Sequence, residues 1–370
     1  MIPYGRHSVD QSDIDAVVAA LKSDFLTTGN RVSQFEGMFA HCVGAEFAVS
    51  LSSGTAALHA AMNAVGIGPG DAVVVPTMTF VATAHAVVAC GGVPLFCDVN
   101  PDTLLIDFWS ARQAIKYGRG KGYNVKAIIA VDYAGQPCDY SALRTLADDN
   151  GLVLVADAAH SLGASYKALR VGTLADLTCF SFHPLKTITT GEGGMITTAS
   201  AVICDKIKRF RNLGRDSVAD VVDLGLNYRL TDIQCALGMS QLAKMAGFLA
   251  RRRVLAERYD RDLLECGGGV RPLTCEGNRS HSFHLYVVKL RDRDLVKARL
   301  STANVGTQIH YRPVHTMPYY VKFCQREGLS VSCPNAERAS REILSLPIFP
   351  GLTAVHQNYV IDALKGVLNG

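Results

Sequence analysis

Seven short apolar runs in the first 200 residues alternate with segments of helical length, and this alternation constrains the fold more than any other feature. The runs lie at 47–51, 72–76, 93–99, 125–133, 152–157, 178–182 and 194–198. Most are apolar at successive positions, which is typical of strands that are buried on both faces. Such strands, separated by helices, indicate an α/β domain with a mostly parallel seven-stranded sheet.

Beyond about residue 230 the pattern changes. A helical pattern from Thr231 to Leu264 is followed by a strand pattern at 282–290, a helix near Asp292–Leu300, a strand pattern at 305–311 and a final helix to Leu368. This order predicts a large domain over residues 1–240 and a smaller α+β domain over residues 241–370, with the long helix as the connector. The basic run Arg251–Arg253 is predicted to lie on a solvated face of that helix.

Residues 72–97 carry no charged side chain and are long enough to cross a bilayer. Pro76, the pair Gly91–Gly92 and Pro94 divide the stretch, so a buried strand, helix and strand are favoured over a membrane span. A net charge of +4 gives no indication of a nucleic-acid or membrane partner. The eleven cysteines have no CxxC spacing and the chain begins without a signal-like segment, so we expect a cytoplasmic protein with reduced thiols.

Two candidate sites follow directly after predicted strands. Residues 52–58, SSGTAAL, lead from a strand into a helix, where small residues and free N–H groups can bind a phosphate; the alternative is an ordinary helix cap. Asp157 ends the run at 152–157, and the carboxyl ends of parallel strands are where α/β folds place ligands. A carboxylate there could hold a proton on a heterocyclic nitrogen, or it could cap the next segment.

Lys186 is the only charged residue between Asp176 and Glu192. Burial disfavours the ammonium form, so a lysine in such surroundings can act as a nucleophilic amine or carry protons. A phosphate cradle, a strand-end aspartate and this lysine are together the groups that would hold pyridoxal phosphate.

Other site types are not indicated. The glycines of residues 66–70 precede a strand instead of following one, so they do not form a dinucleotide fingerprint. The histidine pairs His281/His284 and His310/His315 have no carboxylate at ligand spacing, so no metal site is expected.

The sequence resembles the sugar aminotransferases of the DegT/DnrJ/EryC1/StrS family over nearly its whole length. The motifs that carry the resemblance are SSGTAAL, PTMTFVAT, ADAAHSLGA, FSFHPLK with EGG, GLNYRLTDIQCALG and HYRPVH. The resemblance implies a fold type I enzyme that binds pyridoxal 5′-phosphate and forms a homodimer with shared active sites at the subunit interface.

The resemblance also implies roles for individual residues. Lys186 would form the Schiff base, Asp157 would pair with the pyridinium nitrogen, and Phe80 would stack on the ring. The phosphate would be held by Gly54, Thr55, Ser181 and Asn227 of the partner subunit. His160 stands near the ring hydroxyl, where many members have Gln. The nucleotide-sugar contacts would be Tyr4, Asp24, Phe25, Leu26, Thr27, His310, Tyr311, Arg312 and Pro313.

Within the family, FSFHPLKTITTGEGG and VDYAGQP are most similar to the branch that makes the precursor of pseudaminic acid. The hypothesis is a two-stage transamination from L-glutamate to C4 of a UDP-linked 2-acetamido-2,6-dideoxy-4-keto hexose, with Lys186 moving the proton in both stages. The alternatives are another nucleotide sugar, such as a dTDP-linked sugar or a 3-keto sugar, and a non-catalytic regulator of the same fold. The dehydratases of the family carry His in place of the lysine, so Lys186 argues against that reading.

Overall fold

The computed structural model describes residues 1–216, 220–264 and 269–369. Its helices are α1 Gln11–Leu21, α2 Asn30–Val43, α3 Gly54–Val65, α4 Ala82–Ala89, α5 Phe108–Gly120, α6 Tyr140–Asn150, α7 Ala201–Arg211, α8 Asp232–Leu264, α9 Arg293–Thr302, α10 Pro318–Arg326, α11 Pro334–Glu342 and α12 Ala354–Asn369. Its strands are β1 Phe47–Leu51, β2 Asp71–Pro76, β3 Val93–Cys97, β4 Asn124–Val131, β5 Val153–Asp157, β6 Ser165–Tyr166, β7 Leu169–Arg170, β8 Leu177–Ser181, β9 Gly194–Thr198, β10 Arg271–Pro272, β11 Tyr286–Lys289 and β12 Ile343–Leu346.

The seven predicted apolar runs form one sheet in the order β1-β9-β8-β5-β4-β2-β3. The five strands from β8 to β3 are parallel, whereas β9 is antiparallel to both of its neighbours. Every residue of β2 and β3 is buried, as the uninterrupted apolar runs indicate. The prediction of a mostly parallel seven-stranded sheet is therefore confirmed.

Parallel strands place their carboxyl ends at one edge of the sheet. Asp157 is the last residue of β5, and it stands beside Val131 of β4 and Cys179 of β8 in the sheet register. Helix α3 begins directly after β1, and its first turn is capped by the Ser53 side chain, which accepts the N–H of Ala56. Strand ends and this helix start therefore meet at the same edge.

The C-terminal part contains a three-stranded sheet in the order β10-β11-β12, which packs with α8, α9 and α12 around a second apolar core. Two sequence expectations for this part were wrong. Residues 305–311 form no strand and make only isolated bridges, from Val305 to Ile2 and from Gln308 to Ser345. The strand expected at 282–290 is limited to β11, because residues 282–285 instead run beside the loop at Gly135.

The prediction of a solvated face for Arg251–Arg253 was also wrong at its central residue. Arg252 is buried, and it donates to the carbonyl oxygens of Phe283, His284 and Ile348. Bonds to three carbonyls offset part of the desolvation cost of the guanidinium and tie α8 to the C-terminal core. Among the helices of the described residues, none is both long enough and apolar enough to span a membrane.

Candidate active site

A cavity of about 430 Å³ opens at the carboxyl edge of the large sheet. Its walls bring together ten of the residues that the sequence predicts for the site, namely Tyr4, Gly54, Thr55, Phe80, Asp157, His160, Ser181, Lys186, His310 and Tyr311. The volume is in the range of pockets that enclose a cofactor or a small substrate. Residues from six separate segments of the chain thus converge on one cavity.

Seven predicted residues lie outside this cavity, namely Asp24, Phe25, Leu26, Thr27, Asn227, Arg312 and Pro313. Asp24–Thr27 form an exposed segment before α2, in which the side chain of Phe25 is 60% exposed. Asn227 is exposed and its backbone bridges to Asn212. Arg312 bonds to Thr316 and faces solvent, and Pro313 is buried behind it. One chain therefore does not bring these residues to the cavity.

The carboxylate of Asp157 is buried and oriented by two hydrogen bonds. Its Oδ2 accepts the hydroxyl proton of Thr83 at 2.7 Å, and its Oδ1 accepts the N–H of Ala159 at 3.2 Å. The Thr79 hydroxyl lies 2.7 Å from that of Thr83 and continues the chain of hydrogen bonds. Burial raises the pKa of Asp157, while the bond from Thr83 and the charge of Lys186 oppose the rise. Such a carboxylate is suited to a cationic N–H partner.

Lys186 lies five residues beyond the end of β8, in a turn where its N–H bonds to the carbonyl of His183. The segment then folds back, since Phe182 N–H bonds to Gly193 O and Thr190 N–H bonds to Phe182 O. Burial lowers the pKa of Lys186 to about 8, and the negative charge of Asp157 limits the fall. About a tenth of the amine is therefore unprotonated, and hence nucleophilic, at pH 7.

The first turn of α3 forms a cradle that excludes side chains. A Cβ placed on Gly54 would meet the Cβ of Ser181 at 2.7 Å, so only glycine allows β8 and the helix start to approach this closely. Thr55 is exposed beside it, and the Ser181 hydroxyl lies at the same wall. Free N–H groups at a helix N-terminus favour a bound anion.

His160 is held between two other rings. Its Nε2 lies 3.1 Å from the Tyr311 hydroxyl, and its ring centroid is 4.3 Å from that of His284. Burial, and then the nearby Lys186, lower the pKa of His160 well below its ordinary value, so the ring is neutral. Its Nδ1 is buried and makes no hydrogen bond to any described residue, so this polar atom of a cavity-lining residue remains unsatisfied.

These observations fit pyridoxal phosphate. The cradle at Gly54 would hold the phosphate, Asp157 the ring nitrogen and Lys186 the aldehyde carbon, while His160 offers an unpaired ring nitrogen. Sequence reasoning missed Thr79, Thr83 and His284, which line the cavity or orient Asp157. Thr79 and Thr83 lie within the motif PTMTFVAT, but a threonine at a helix start gives no indication of a carboxylate 74 residues away. Within the described part of the chain, no group of three His, Cys, Asp or Glu side chains is arranged to hold a metal.

Comparisons with known proteins agree with this chemistry. A model of the DegT/DnrJ/EryC1/StrS aminotransferase family matches residues 7–365. The spore coat polysaccharide biosynthesis protein SpsC of Bacillus subtilis is 34% identical over all of this chain and 97% of its own length.

Solved structures of similar proteins also match the whole chain. The PLP form of the putative sugar aminotransferase Spr1654 from Streptococcus pneumoniae superposes with a TM-score of 0.91 at 28% identity, over 98% of its length. Helicobacter pylori PseC, described as an aminotransferase of pseudoaminic acid biosynthesis, also gives a TM-score of 0.91 at 28% identity, over 99% of its length.

Proposed function

The chain belongs to the DegT/DnrJ/EryC1/StrS aminotransferase family, and from that premise we propose which sugar it aminates and how its residues take part. It is a sugar aminotransferase of fold type I that uses pyridoxal phosphate. We propose that L-glutamate is the amino donor and that the acceptor is a UDP-linked 2-acetamido-2,6-dideoxy-4-keto hexose, aminated at C4. The full-length likeness to PseC and the motifs FSFHPLKTITTGEGG and VDYAGQP support this choice of sugar.

The observation that carries the proposed chemistry is that Lys186 and the buried Asp157 face the same cavity. When bound, pyridoxal phosphate supplies an electron sink for the carbon that carries the amino group. The Asp157 carboxylate would keep the proton on the ring nitrogen, because a buried negative charge stabilises an adjacent cation. Thr83 and Ala159 hold that carboxylate in place through both stages.

Lys186 carries the protons. Its Nζ would hold the cofactor, and as a free amine it would take the proton from the α-carbon of L-glutamate. In the second stage the same amine gives a proton to C4 of the sugar. A pKa of about 8 lets one group act as base and as acid near neutral pH.

The sugar side of the site is proposed to need a second copy of the chain. Asp24–Thr27 and Asn227 lie away from the cavity of their own chain and are exposed. Exposed Phe25, Leu26 and Leu224 give these regions apolar side chains, as an interface between subunits requires. In the proposed homodimer, Asn227 of the partner subunit contacts the phosphate and the segment 24–27 contacts the nucleotide sugar.

A substrate panel tests the choice of sugar. The enzyme is first converted to its amino form with L-glutamate and then offered UDP-linked and dTDP-linked sugars with a ketone at C3 or at C4. We expect turnover with the UDP-linked 4-keto sugar and a 4-amino product by NMR. Turnover restricted to a dTDP-linked or 3-keto sugar would overturn the choice of sugar. Failure to react with L-glutamate, by a protein that binds the cofactor, would favour a regulator.

A further inference from the structure

Three residues beside the active site form a hydrogen-bonded cluster that the reaction does not use. The Nδ1 of His315 lies 2.6 Å from the Thr77 hydroxyl, and its Nε2 lies 3.2 Å from a carboxylate oxygen of Glu337. Thr77 directly follows β2, His315 lies in the short 3-10 turn Val314–Thr316, and Glu337 belongs to α11. The cluster therefore joins three distant parts of the chain.

Both ring nitrogens of His315 are hydrogen-bonded within the cluster. The Glu337 carboxylate accepts from Nε2, and Nδ1 shares a hydrogen bond with the Thr77 hydroxyl. The oxygen of Thr77 in turn accepts the backbone N–H of His315 at 3.3 Å. Thr77 also accepts the N–H of Val314 at its carbonyl, at 2.9 Å. Four hydrogen bonds thus fix the turn to the large sheet and to α11.

The third member of the cluster is itself anchored. The first turn of α11 is held by Asp98, just after β3, whose two carboxylate oxygens accept the N–H groups of Asn335 and Ala336 at 2.9 Å each. Strands β2 and β3 are neighbours in the sheet. His315 is consequently tied to the ends of two adjacent strands, one directly through Thr77 and the other through Glu337.

The segment that His315 fixes also carries a wall of the active site. Tyr311, four residues earlier, places its hydroxyl 3.1 Å from Nε2 of His160 and its ring 6.0 Å from that of Phe80. On the other side of Tyr311, the Tyr133 hydroxyl donates to the carbonyl of His310. Tyr311 is therefore held between an anchor at His310 and the cluster at His315.

An order of hydroxyl, imidazole and carboxylate is also found in hydrolases, where the hydroxyl is a nucleophile. Thr77 is fully buried and does not line the cavity, so no substrate can reach its hydroxyl. The cluster acts through the segment to which it is attached.

We propose that His315 is a positioning residue, which with Thr77 and Glu337 holds residues 310–316 so that the Tyr311 hydroxyl stays on His160. The inference rests on the proposed function only in taking the cavity as the substrate site. His315 would thus influence how the substrate is oriented without contacting the cofactor or the sugar.

Four variants separate positioning from general stability. His315→Ala removes both side-chain bonds; His315→Asn keeps an acceptor near Nδ1, and His315→Gln keeps a donor near Nε2. Val314→Ala is the matched control, because Val314 is fully buried in the same turn and its truncation removes packing but none of the hydrogen bonds. Thr77→Val and Glu337→Gln provide the same comparison if His315→Ala does not yield folded protein.

The first measurement is hydrogen–deuterium exchange of the cofactor-free protein, which does not depend on the sugar. For variants of equal melting temperature, we expect His315→Ala to accelerate exchange in residues 310–316 more than Val314→Ala does. We expect His315→Asn to restore part of the protection. The second is kcat/KM for the sugar half-reaction, which we expect to fall by roughly tenfold or more in His315→Ala. In a Tyr311→Phe background, His315→Ala should lower kcat/KM much less, because both substitutions disrupt the same contact between the Tyr311 hydroxyl and His160.

Wild-type exchange in residues 310–316 of His315→Ala would overturn the proposal. The proposal would also be overturned if Val314→Ala reproduced the effects of His315→Ala in full. The same holds if the losses of kcat/KM in His315→Ala and Tyr311→Phe were fully additive. A different sugar in the substrate panel would alter the proposed function but leave the exchange result and the test of coupling intact.

Discussion

The two sides of the active-site cavity are built differently. The cofactor side is made by strand ends and the first turn of α3, and its key side chains, such as Asp157, are buried and bonded within one chain. The sugar side is proposed to be made by loops such as residues 24–27, in which the side chain of Phe25 is 60% exposed. The segment 24–27 does not reach the cavity of its own chain at all. The cofactor side is thus fixed by the interior of the fold, whereas in the proposed homodimer the specificity for the sugar would depend on surfaces completed by the partner subunit.

This difference has a physical cause. Proton transfer and charge stabilisation need groups whose positions and pKa values are set in advance, and burial provides both. Recognition of a nucleotide sugar needs a large surface that can open to solvent, and loops provide that. Substitutions on the cofactor side should therefore reduce turnover with every substrate, while substitutions on the sugar side should discriminate among them.

The largest effect is expected from Lys186→Ala. Without the amine, neither proton transfer has a carrier, and we expect kcat to fall by at least roughly 10⁴-fold in both half-reactions. Stopped-flow absorbance with L-glutamate measures the first half-reaction directly. Lys22→Ala, at an exposed lysine outside the cavity, is the control and should keep wild-type rates. Retained turnover in Lys186→Ala would remove Lys186 from the mechanism.

The next effect concerns the buried carboxylate. Asp157→Asn leaves the shape of the site unchanged but removes the charge, and we expect a loss of roughly 100-fold or more in kcat with either substrate. Thr83→Val deletes the hydrogen bond to Asp157, together with the bond to Thr79, but keeps the charge of the carboxylate, and we expect a loss of roughly 3- to 10-fold. The test is whether Thr83→Val lowers kcat less than Asp157→Asn does. A Thr83→Val enzyme as slow as Asp157→Asn would mean that the threonine does more than orient the carboxylate.

A smaller effect is expected at the phosphate cradle. Gly54→Ala introduces a Cβ 2.7 Å from that of Ser181, so the helix start and β8 must separate. We expect the dissociation constant of pyridoxal phosphate to rise by at least roughly tenfold, or about 1.4 kcal/mol, in equilibrium titration. Gly37→Ala, in α2 where an added Cβ meets nothing within 4 Å, is the matched control. Equal affinities for the two variants would contradict the cradle.

An effect of similar size tests the shared site. Asn227→Ala should lower activity only by roughly tenfold, through the loss of a hydrogen bond to a charged group. When it is mixed by co-refolding with the Lys186→Ala variant, half of the dimers should carry one intact site. Activity should then recover to roughly one quarter of the wild-type value. Activity that remains the simple average of the two parents would show that Asn227 acts within its own chain.

The sequence predicts the sheet well because β2, β3 and their neighbours are buried on both faces, which leaves uninterrupted apolar runs. It does not predict β12, because Ile343–Leu346 follows α11 without any turn residue. Lys186 and Asp157 are visible from local context, as a lone charge and as a strand end. The partners Thr83, His284 and Glu337 are not, since each acquires its role from a residue brought near by folding alone.

The central claim is that one lysine of the cofactor side, Lys186, carries the chemistry. Borohydride reduction of the cofactor-loaded enzyme fixes pyridoxal phosphate to the amine that holds it, and peptide mass spectrometry then identifies that residue. We expect a single phosphopyridoxyl group on the peptide that contains Lys186, and none after prior incubation with excess L-glutamate. Label on another lysine, or none on Lys186 in the enzyme as first loaded, would contradict the account.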